Sequence, residues 1–446
     1  MKRIHSSFLS KEEMTEILIK PPFDKVMLGA GARAKTKELF GEELTARQVV
    51  ERIVEEVRQQ GNGGVFKYTK YFDGAELSAE TLEVTKAEID SAMAAVDAAV
   101  LEALELAVAN VKKFHAEQLP TSWLTEREHG AMLGQKCTPL DRVGIYVPGG
   151  TAVYPSSVIM NAVPAAVAGV KEIIMVVPPD REGKVNTNVL AAAKLAGVTR
   201  IFKVGGAQAV AALAFGTETI PKVDKITGPG NIFVTLAKKA VYGYTDIDML
   251  AGPSEILIVA DSTADPEYVA ADMLSQAEHD VLASSILITD SSELAGKVDK
   301  AVTRQLAALP RQEIAAQSLE DNGLIIITPT IKDAVELANL SAPEHLELLT
   351  LDPFSLLPYV KHAGAVFMGA YSPEPLGDYL AGPNHVLPTG GTARFYSVLN
   401  VETFMKKTSI IAYTQEALAA VSKHVIRLAQ AEGLDAHANA VRIRGN

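Results

Sequence analysis

The sequence predicts an α/β fold with two Rossmann-like parallel-sheet domains, plus small helical segments at the N-terminus and the C-terminus. Three observations lead to this prediction. From Arg142 onward, short β-branched strands follow one another with alanine-rich helices between them; the strands are apolar throughout; and the pattern occurs as two successive series. Continuous apolar strands separated by helices are typical of parallel sheets covered on both faces. A length of 446 residues suffices for two to four domains of about 150 residues.

The elements follow in order along the chain. The N-terminal part is charged, and its apolar spacing predicts helices from Lys11, over 46–59 and over about 86–118. The first series predicts strands at 143–147, 173–177, 200–204 and 226–227, with helices at 156–168, 185–195, 207–215 and 232–241. The second series predicts strands at 255–260, 284–289, 323–328, 346–350 and 365–368. The part after Val401 is expected to be helical.

These series predict four segments, with no low-complexity linker between them. They are an N-terminal helical segment (1–25), a discontinuous first α/β domain (26–141 and 256–398), a second α/β domain (142–255) and a C-terminal tail (399–446). We therefore expect the segments to pack closely against one another.

The composition excludes several classes of protein. The apolar fraction of 48% rules out a disordered chain, and the net charge of −12 argues against binding to nucleic acid or to an anionic membrane. One cysteine, Cys137, excludes an internal disulfide and suits a reducing compartment. We find neither a signal peptide nor an apolar run of the roughly 18 residues that a membrane span needs. These features predict a soluble, cytoplasmic protein.

Glycine-rich turns follow three strands of the first series, at 146–151, 205–208 and 228–231. Ligands bind at the carboxyl ends of parallel strands, where loops and helix N-termini present free N–H groups. Three such turns on one sheet favour a phosphate-containing cofactor over the alternative of tight turns alone. The earlier pattern at 29–34 resembles a dinucleotide-binding motif, but it follows prolines and charges rather than a buried strand. A linker before a helix is the better interpretation there.

Four polar residues could form a metal site. Gln276 and His279 are three apart in a predicted helix, so they are either a hydrogen-bonded pair or half of a metal site. Asp378 is a turn-forming residue or a ligand in a predicted loop, and His437 is a surface histidine or a ligand. Together they would offer nitrogen and oxygen donors, which suit Zn²⁺ and other divalent ions.

Glu344 and His345 stand side by side after Pro343, where a strand is predicted to begin. A histidine can accept a proton from a hydroxyl near neutral pH, and a carboxylate beside it can activate water. The alternative is a solvated pair at a strand edge. The alternation of the strand places Glu347, rather than Glu344, toward solvent. This counts against a solvated pair, so both alternatives stay open.

Several long motifs resemble those of the histidinol dehydrogenase family. They lie at 142–150, 228–231, 247–261, 275–280, 342–346 and 384–389, and the similarity extends over nearly the whole chain. The resemblance implies oxidation of L-histidinol through L-histidinaldehyde to L-histidine, in the last steps of histidine biosynthesis. It also implies two NAD⁺ consumed per substrate, one Zn²⁺ per active site, and a homodimer that exchanges its C-terminal tail.

The resemblance also implies roles for individual residues. The zinc ligands would be Gln276, His279, Asp378 and His437, with His437 supplied by the second subunit, and the catalytic pair would be Glu344 and His345. Substrate contacts would come from Ser254, Gln276, His279, His345, Asp378, Glu432 and His437. NAD⁺ contacts would come from Tyr146, Gln208 and Asn231, which places the cofactor on the second α/β domain.

Three other functions are weighed against this one. They are a zinc- and NAD-dependent dehydrogenase of another polyol such as a sulfonated diol, a zinc-dependent hydrolase, and a non-catalytic nucleotide-binding protein. Glu432 near the metal would suit the ammonium group of histidinol and favours the first interpretation. Cys137 is expected to be a structural or exposed thiol rather than a nucleophile.

Overall fold

The computed structural model of the chain describes residues 1–19, 30–149 and 153–444. Its strands are β1 (Lys2–His5), β2 (Trp123–Glu126), β3 (Met132–Pro139), β4 (Arg142–Tyr146), β5 (Glu172–Val177), β6 (Arg200–Lys203), β7 (Lys225–Thr227), β8 (Asp246–Ile247), β9 (Glu255–Ala260), β10 (Ser284–Thr289), β11 (Leu324–Ile327), β12 (His345–Leu349), β13 (Ala365–Met368) and β14 (Met405–Ala412).

The helices, apart from short 3₁₀ turns, are α1 (Lys11–Leu18), α2 (Ala30–Phe40), α3 (Ala46–Gln60), α4 (Asn62–Asp73), α5 (Lys86–Ala95), α6 (Ala98–Ala116), α7 (Pro155–Ala168), α8 (Thr187–Ala196), α9 (Gly206–Phe215), α10 (Ile232–Val241), α11 (Pro266–Ala277), α12 (Ser292–Leu306), α13 (Gln312–Asn322), α14 (Ile331–Ser341), α15 (Glu374–Tyr379), α16 (Gln415–Ala431) and α17 (Asp435–Arg442). None of these helices is long and apolar enough to cross a membrane.

A six-stranded parallel sheet forms one half of the molecule, in the order β1-β11-β10-β9-β12-β13. Most residues of its inner strands are apolar on both faces because both faces are buried. Helices α11, α12 and α13 pack on one face, and α1 and α14 pack on the other. The edge strand β1 was not predicted, since its four residues are mostly polar and only pairing with β11 makes them a strand.

A five-stranded parallel sheet forms the other half, in the order β6-β5-β4-β7-β8. Helices α5 to α8 cover one face, and α3, α4, α9 and α10 cover the other. Two parallel sheets with helices on both faces confirm the predicted fold class. The two cores on the faces of this sheet contain residues of α3 to α6, together with a few residues between 386 and 404. The predicted domain boundaries stay a prediction.

A third, antiparallel sheet was not predicted. Strand β3 pairs with β2 on one side and with β14 on the other, so the C-terminal segment lies against residues 132–139. Most residues of β2 and β14 are exposed in the single chain. The long helix expected over 86–118 is two helices, because Asp97 caps α6 by accepting hydrogen bonds from Ala99 N and Val100 N.

Candidate active site

The predicted acid–base pair lies at the amino end of β12, beside the amino end of β9. Glu344 and His345 are only 6% and 4% exposed. Glu255 N donates to Glu344 Oε2 at 2.8 Å, and Glu255 O is 2.9 Å from His345 Nδ1. The backbone of Glu255 therefore fixes both side chains. The alternative of a solvated pair at a strand edge is wrong for this position.

The burial of Glu347 also differs from the prediction. We expected this residue to face solvent, but it is 0% exposed, and its Oε1 accepts a hydrogen bond from Glu374 N at 2.9 Å. Burial and the charge of Asp272 raise the pKa of Glu347 well above its ordinary value. Glu347 follows His345 by two residues, so both point to one face of β12. That spacing was the signal in the sequence that could have placed Glu347 near the site.

A group of possible metal ligands lies next to His345. Ligand atoms of His279, Glu374 and Asp378 all lie within 4.8 Å of one another. Glu374 Oε1 is 3.8 Å from His345 Nε2. Burial and the neighbouring Asp378 raise the pKa of Glu374 to about 9, because the two carboxyl groups repel as anions. A divalent cation would offset this repulsion, so the donor set fits a metal ion.

Gln276 supports the same interpretation. It is 0% exposed, and neither amide atom of its side chain has a hydrogen-bond partner among the described residues. A buried amide without partners is costly unless a ligand or an ion satisfies it. Helix α11 ends at Ala277, so His279 lies in the following turn rather than on the helix, with its N–H donating to Gln276 O at 3.2 Å. Asp378 lies in the short helix α15, and the loop predicted for it is wrong.

The structure does not bring every predicted residue to this group. Ser254 immediately precedes β9, and its carbonyl accepts a hydrogen bond from Ser284 N. Glu432 and His437 lie at the end of α16 and on α17, where both are exposed in the single chain. Neither belongs to the group of ligand atoms described above. Their predicted roles depend on a second subunit and stay predictions.

Sequence analysis missed Glu374 and His385 as residues of this site. Glu374 precedes Asp378 by one helical turn, a spacing that places both on one face of α15. His385 Nδ1 lies 3.0 Å from the carbonyl oxygen of Asp378. His385 was visible only as part of a family motif, because nothing in its local sequence indicates that contact.

Tyr146, Gln208 and Asn231 line one cavity of about 1030 Å³ at the carboxyl ends of the five-stranded sheet. The Tyr146 hydroxyl accepts a hydrogen bond from Gly206 N at 3.0 Å, and Gln208 Oε1 is buried without a partner among the described residues. Asn231 caps α10 through its Oδ1, which leaves its amide nitrogen available as a donor. The size and the unpaired polar atoms fit a nucleotide-sized ligand.

A buried ion pair supports the turn at 228–231. Lys238 and Asp248 form the pair, and Lys238 Nζ also donates to Gly228 O at 2.9 Å while Gly228 N donates to Asp248 Oδ2 at 2.8 Å. Gly228 has a φ of +112°, and a Cβ there would collide with the Tyr146 carbonyl oxygen. The turn is therefore held by side chains as well as by glycine.

Two other glycine patterns of the sequence lie partly outside the described residues. In the turn at 146–151, residues 150 and 151 are not described; in the pattern at 29–34, Gly29 is not described and Gly31 lies within α2.

Comparisons with known proteins agree with this architecture. The family model described as histidinol dehydrogenase matches residues 37–445. Histidinol dehydrogenase from Bacillus licheniformis is 57% identical over 398 residues, covering 89% of this chain and 93% of the relative. The protein of that name from Heliobacterium mobile is 57% identical over 395 residues, covering 89% and 92%.

A solved structure gives the same result. The crystal structure of histidinol dehydrogenase from Elizabethkingia anophelis superposes with a TM-score of 0.90 at 36% identity, covering 100% of this chain and 98% of that one. The chain therefore belongs to the histidinol dehydrogenase family of NAD-dependent dehydrogenases.

Proposed function

We propose that this chain oxidises L-histidinol through L-histidinaldehyde to L-histidine in two NAD-linked steps that depend on zinc. The observation that carries the proposal is the position of His345, whose Nε2 lies 3.8 Å from Glu374 in the group of possible metal ligands. In this arrangement a metal ion would bind the nitrogen atoms of an amino alcohol, and the neighbouring base would accept the proton of its hydroxyl group. We place the reaction in the last steps of histidine biosynthesis, in the cytoplasm.

His345 has the properties of the base in both oxidations. A carbonyl oxygen only accepts hydrogen bonds, so the contact with Glu255 O assigns the proton of a neutral ring to Nδ1. Nε2 is then the free acceptor, and it has no hydrogen-bond partner among the described residues. Burial lowers the pKa of His345, so the ring is neutral at pH 7 and accepts the substrate's hydroxyl proton at Nε2.

Glu344 would act between the two oxidations, when water adds to the aldehyde carbon and loses a proton. Its Oε2 is held by Glu255 N, which leaves Oε1 to orient that water. Burial and the carboxylates of Glu255, Asp378 and Glu374 raise the pKa of Glu344. A divalent cation at the ligand group would lower that pKa and restore the carboxylate that proton removal requires.

The residues that would hold zinc are Gln276, His279 and Asp378, with His437 contributed by the other subunit of a homodimer. Zinc, when bound, would coordinate the imidazole and amino nitrogens of the substrate and so orient it for the reaction. Ser254 and Glu432 would contact the substrate, and Glu432 would pair with its ammonium group. Tyr146, Gln208 and Asn231 would hold NAD⁺, which would supply the hydride acceptor for each oxidation.

A stoichiometric assay tests the proposal. Purified protein with L-histidinol should form two NADH for each histidine, and a chelator should abolish the activity until Zn²⁺ is added back. One NADH per substrate would contradict the two-step reaction, and full activity after metal removal would contradict the role of zinc. NADH formed from a sulfonated diol but not from L-histidinol would favour the rival dehydrogenase.

A further inference from the structure

One partly buried carboxylate lines the cavity of Tyr146, Gln208 and Asn231, here called the cofactor cavity, and has no role in the reaction described so far. Asp73 is the last residue of α4, and the chain leaves the helix at Gly74 with a φ of +73°. Its Oδ2 is buried without a hydrogen-bond partner among the described residues, and no cation contributes to its pKa. Burial alone raises the pKa of Asp73 to about 6. The side chain is therefore mostly an anion at pH 7, and its buried Oδ2 is an unsatisfied acceptor.

Folding gives no reason for a carboxylate at this position. The carboxyl end of a helix carries partial negative charge, so an anion there is unfavourable. An unpaired anion in a partly buried place adds a desolvation cost. Both costs would be offset by a ligand that donates hydrogen bonds to Asp73.

The surroundings of Asp73 indicate which ligand group could do so. Asp73 lines the same cavity as Tyr146, Gln208 and Asn231. Arg181 and Lys184 also line it, on a turn closed by a 2.9 Å hydrogen bond from Asp180 N to Lys184 O. These cations and the amino end of α8 suit phosphate groups. The carboxylate of Asp73 would repel a phosphate, so it must face another part of the ligand. The hydroxyl groups of a ribose are the neutral donors in a dinucleotide, and two vicinal hydroxyls match the two oxygens of one carboxylate.

We propose that Asp73 binds ribose hydroxyl groups of NAD⁺ and is a determinant of cofactor affinity. This inference rests on the proposed function, because it requires NAD⁺ in the cavity. The proposed NAD⁺ contacts of Tyr146, Gln208 and Asn231 would then include a charged residue, Asp73, which lies on α4 rather than on the sheet that carries the glycine turns.

The variant Asp73→Asn tests the inference. We expect the Kd for NAD⁺, measured by calorimetry without L-histidinol, to rise tenfold or more, because a hydrogen bond to a charged acceptor is lost. The KM for L-histidinol should stay within twofold. The variant should melt at or above the wild-type temperature, since it removes an unpaired buried anion. The control Glu76→Gln changes an exposed acid three residues away, paired with Lys70, and should bind NAD⁺ like the wild type.

Analogues of NAD⁺ that lack one ribose hydroxyl identify the contact itself. The analogue lacking the contacted hydroxyl should bind the wild type about tenfold more weakly, and Asp73→Asn should show little further loss with it. If the contacted ribose is that of adenosine, Asp73→Asn should also reduce the preference for NAD⁺ over NADP⁺; an unchanged preference assigns the nicotinamide ribose. Binding of NAD⁺ to Asp73→Asn within twofold of the wild type would overturn the inference alone. A wild-type protein that binds no NAD⁺ would overturn the proposed function as well.

Discussion

The two parallel sheets place their functional residues at opposite ends. In the five-stranded sheet, the cavity lies at the carboxyl ends, where Tyr146 closes β4 and glycine turns follow β6 and β7. In the six-stranded sheet, Glu255 and His345 are the first residues of β9 and β12, so the acid–base pair lies at the amino ends. The cavity of the first sheet lies where ligands usually bind to parallel sheets, whereas the candidate site of the second lies at the opposite ends of its strands.

The two regions also use different chemical groups. The cavity of the five-stranded sheet is built from turns and helix N-termini, which present backbone donors beside a few polar side chains. The site of the six-stranded sheet is built from buried ionisable side chains, and burial raises the pKa values of Glu344 and Glu347. The cavity thus presents backbone donors and unpaired polar atoms, whereas the six-stranded sheet holds buried acids whose charge depends on what binds next to them.

The largest effect is expected from His345→Asn. The amide can still donate to Glu255 O, but the acceptor nitrogen of the base is lost. We expect kcat to fall by about 10² to 10⁴-fold. The Kd for NAD⁺ should stay unchanged, because the cofactor cavity belongs to the other sheet. Steady-state kinetics measures kcat and calorimetry measures the Kd. If His345→Asn lowered both kcat and the affinity for NAD⁺, the two sheets would not have the separate roles proposed for them.

Lys238→Met tests whether the turn of the five-stranded sheet depends on its ion pair. The variant leaves Asp248 buried without its cation, so the free energy of unfolding in urea should fall by about 3 to 5 kcal/mol. Binding of NAD⁺ should weaken, since Gly228 loses the contact with Lys238 Nζ. The neighbouring Lys239→Met changes an exposed residue of α10, where a surface interaction contributes about 1 kcal/mol or less, so its stability loss should be much smaller. Equal stability of the two variants would contradict this account.

Glu347→Gln tests the buried acids of the six-stranded sheet through the pH dependence of stability. The unfolded chain loses the Glu347 proton near the ordinary pKa of 4.5, whereas the folded chain keeps it to higher pH. The contribution of Glu347 to stability therefore falls as pH rises above about 4.5, in total by about 1.4 kcal/mol for each unit by which its folded pKa is raised. Gln keeps an acceptor for Glu374 N but does not ionise, so the variant should gain stability over the wild type as pH rises. Parallel stability curves from pH 4 to 8 would refute a protonated Glu347.

The smallest effect is expected from Cys137→Ser. Cys137 lies in β3 of the antiparallel sheet, where its N–H donates to Ser122 Oγ at 3.0 Å. It belongs neither to the lining of the cavity at the five-stranded sheet nor to the group of possible metal ligands. Turnover should stay within twofold of the wild type. A collapse of kcat in a normally folded variant would indicate a covalent thiohemiacetal and would reassign the chemistry to a third region.

The sequence predicted much of the fold because the parallel strands are long apolar runs. The strands predicted at 255–260, 284–289 and 365–368 have those bounds in the structure. Strands β1, β2, β3 and β14 were missed because they mix polar and apolar residues without a long apolar run. β1 and β14 become strands through pairing with segments far away in the chain, and β2 and β3 form an antiparallel pair beside β14. For the site, motifs indicated His279, Asp378, Glu344 and His345, while burial of Glu347 and Glu374 depended on packing that local patterns do not record.

What the sequence alone determined is the α/β class, the glycine turns and the adjacency of Glu344 and His345, because these follow from local composition and spacing. Only the tertiary structure decided that Glu374 joins His279 and Asp378, and that Asp73 reaches the cofactor cavity. Contacts between residues far apart in the chain depend on how helices and sheets pack. That packing sets the burial of each carboxyl group, and burial in turn determines whether the group is charged or protonated.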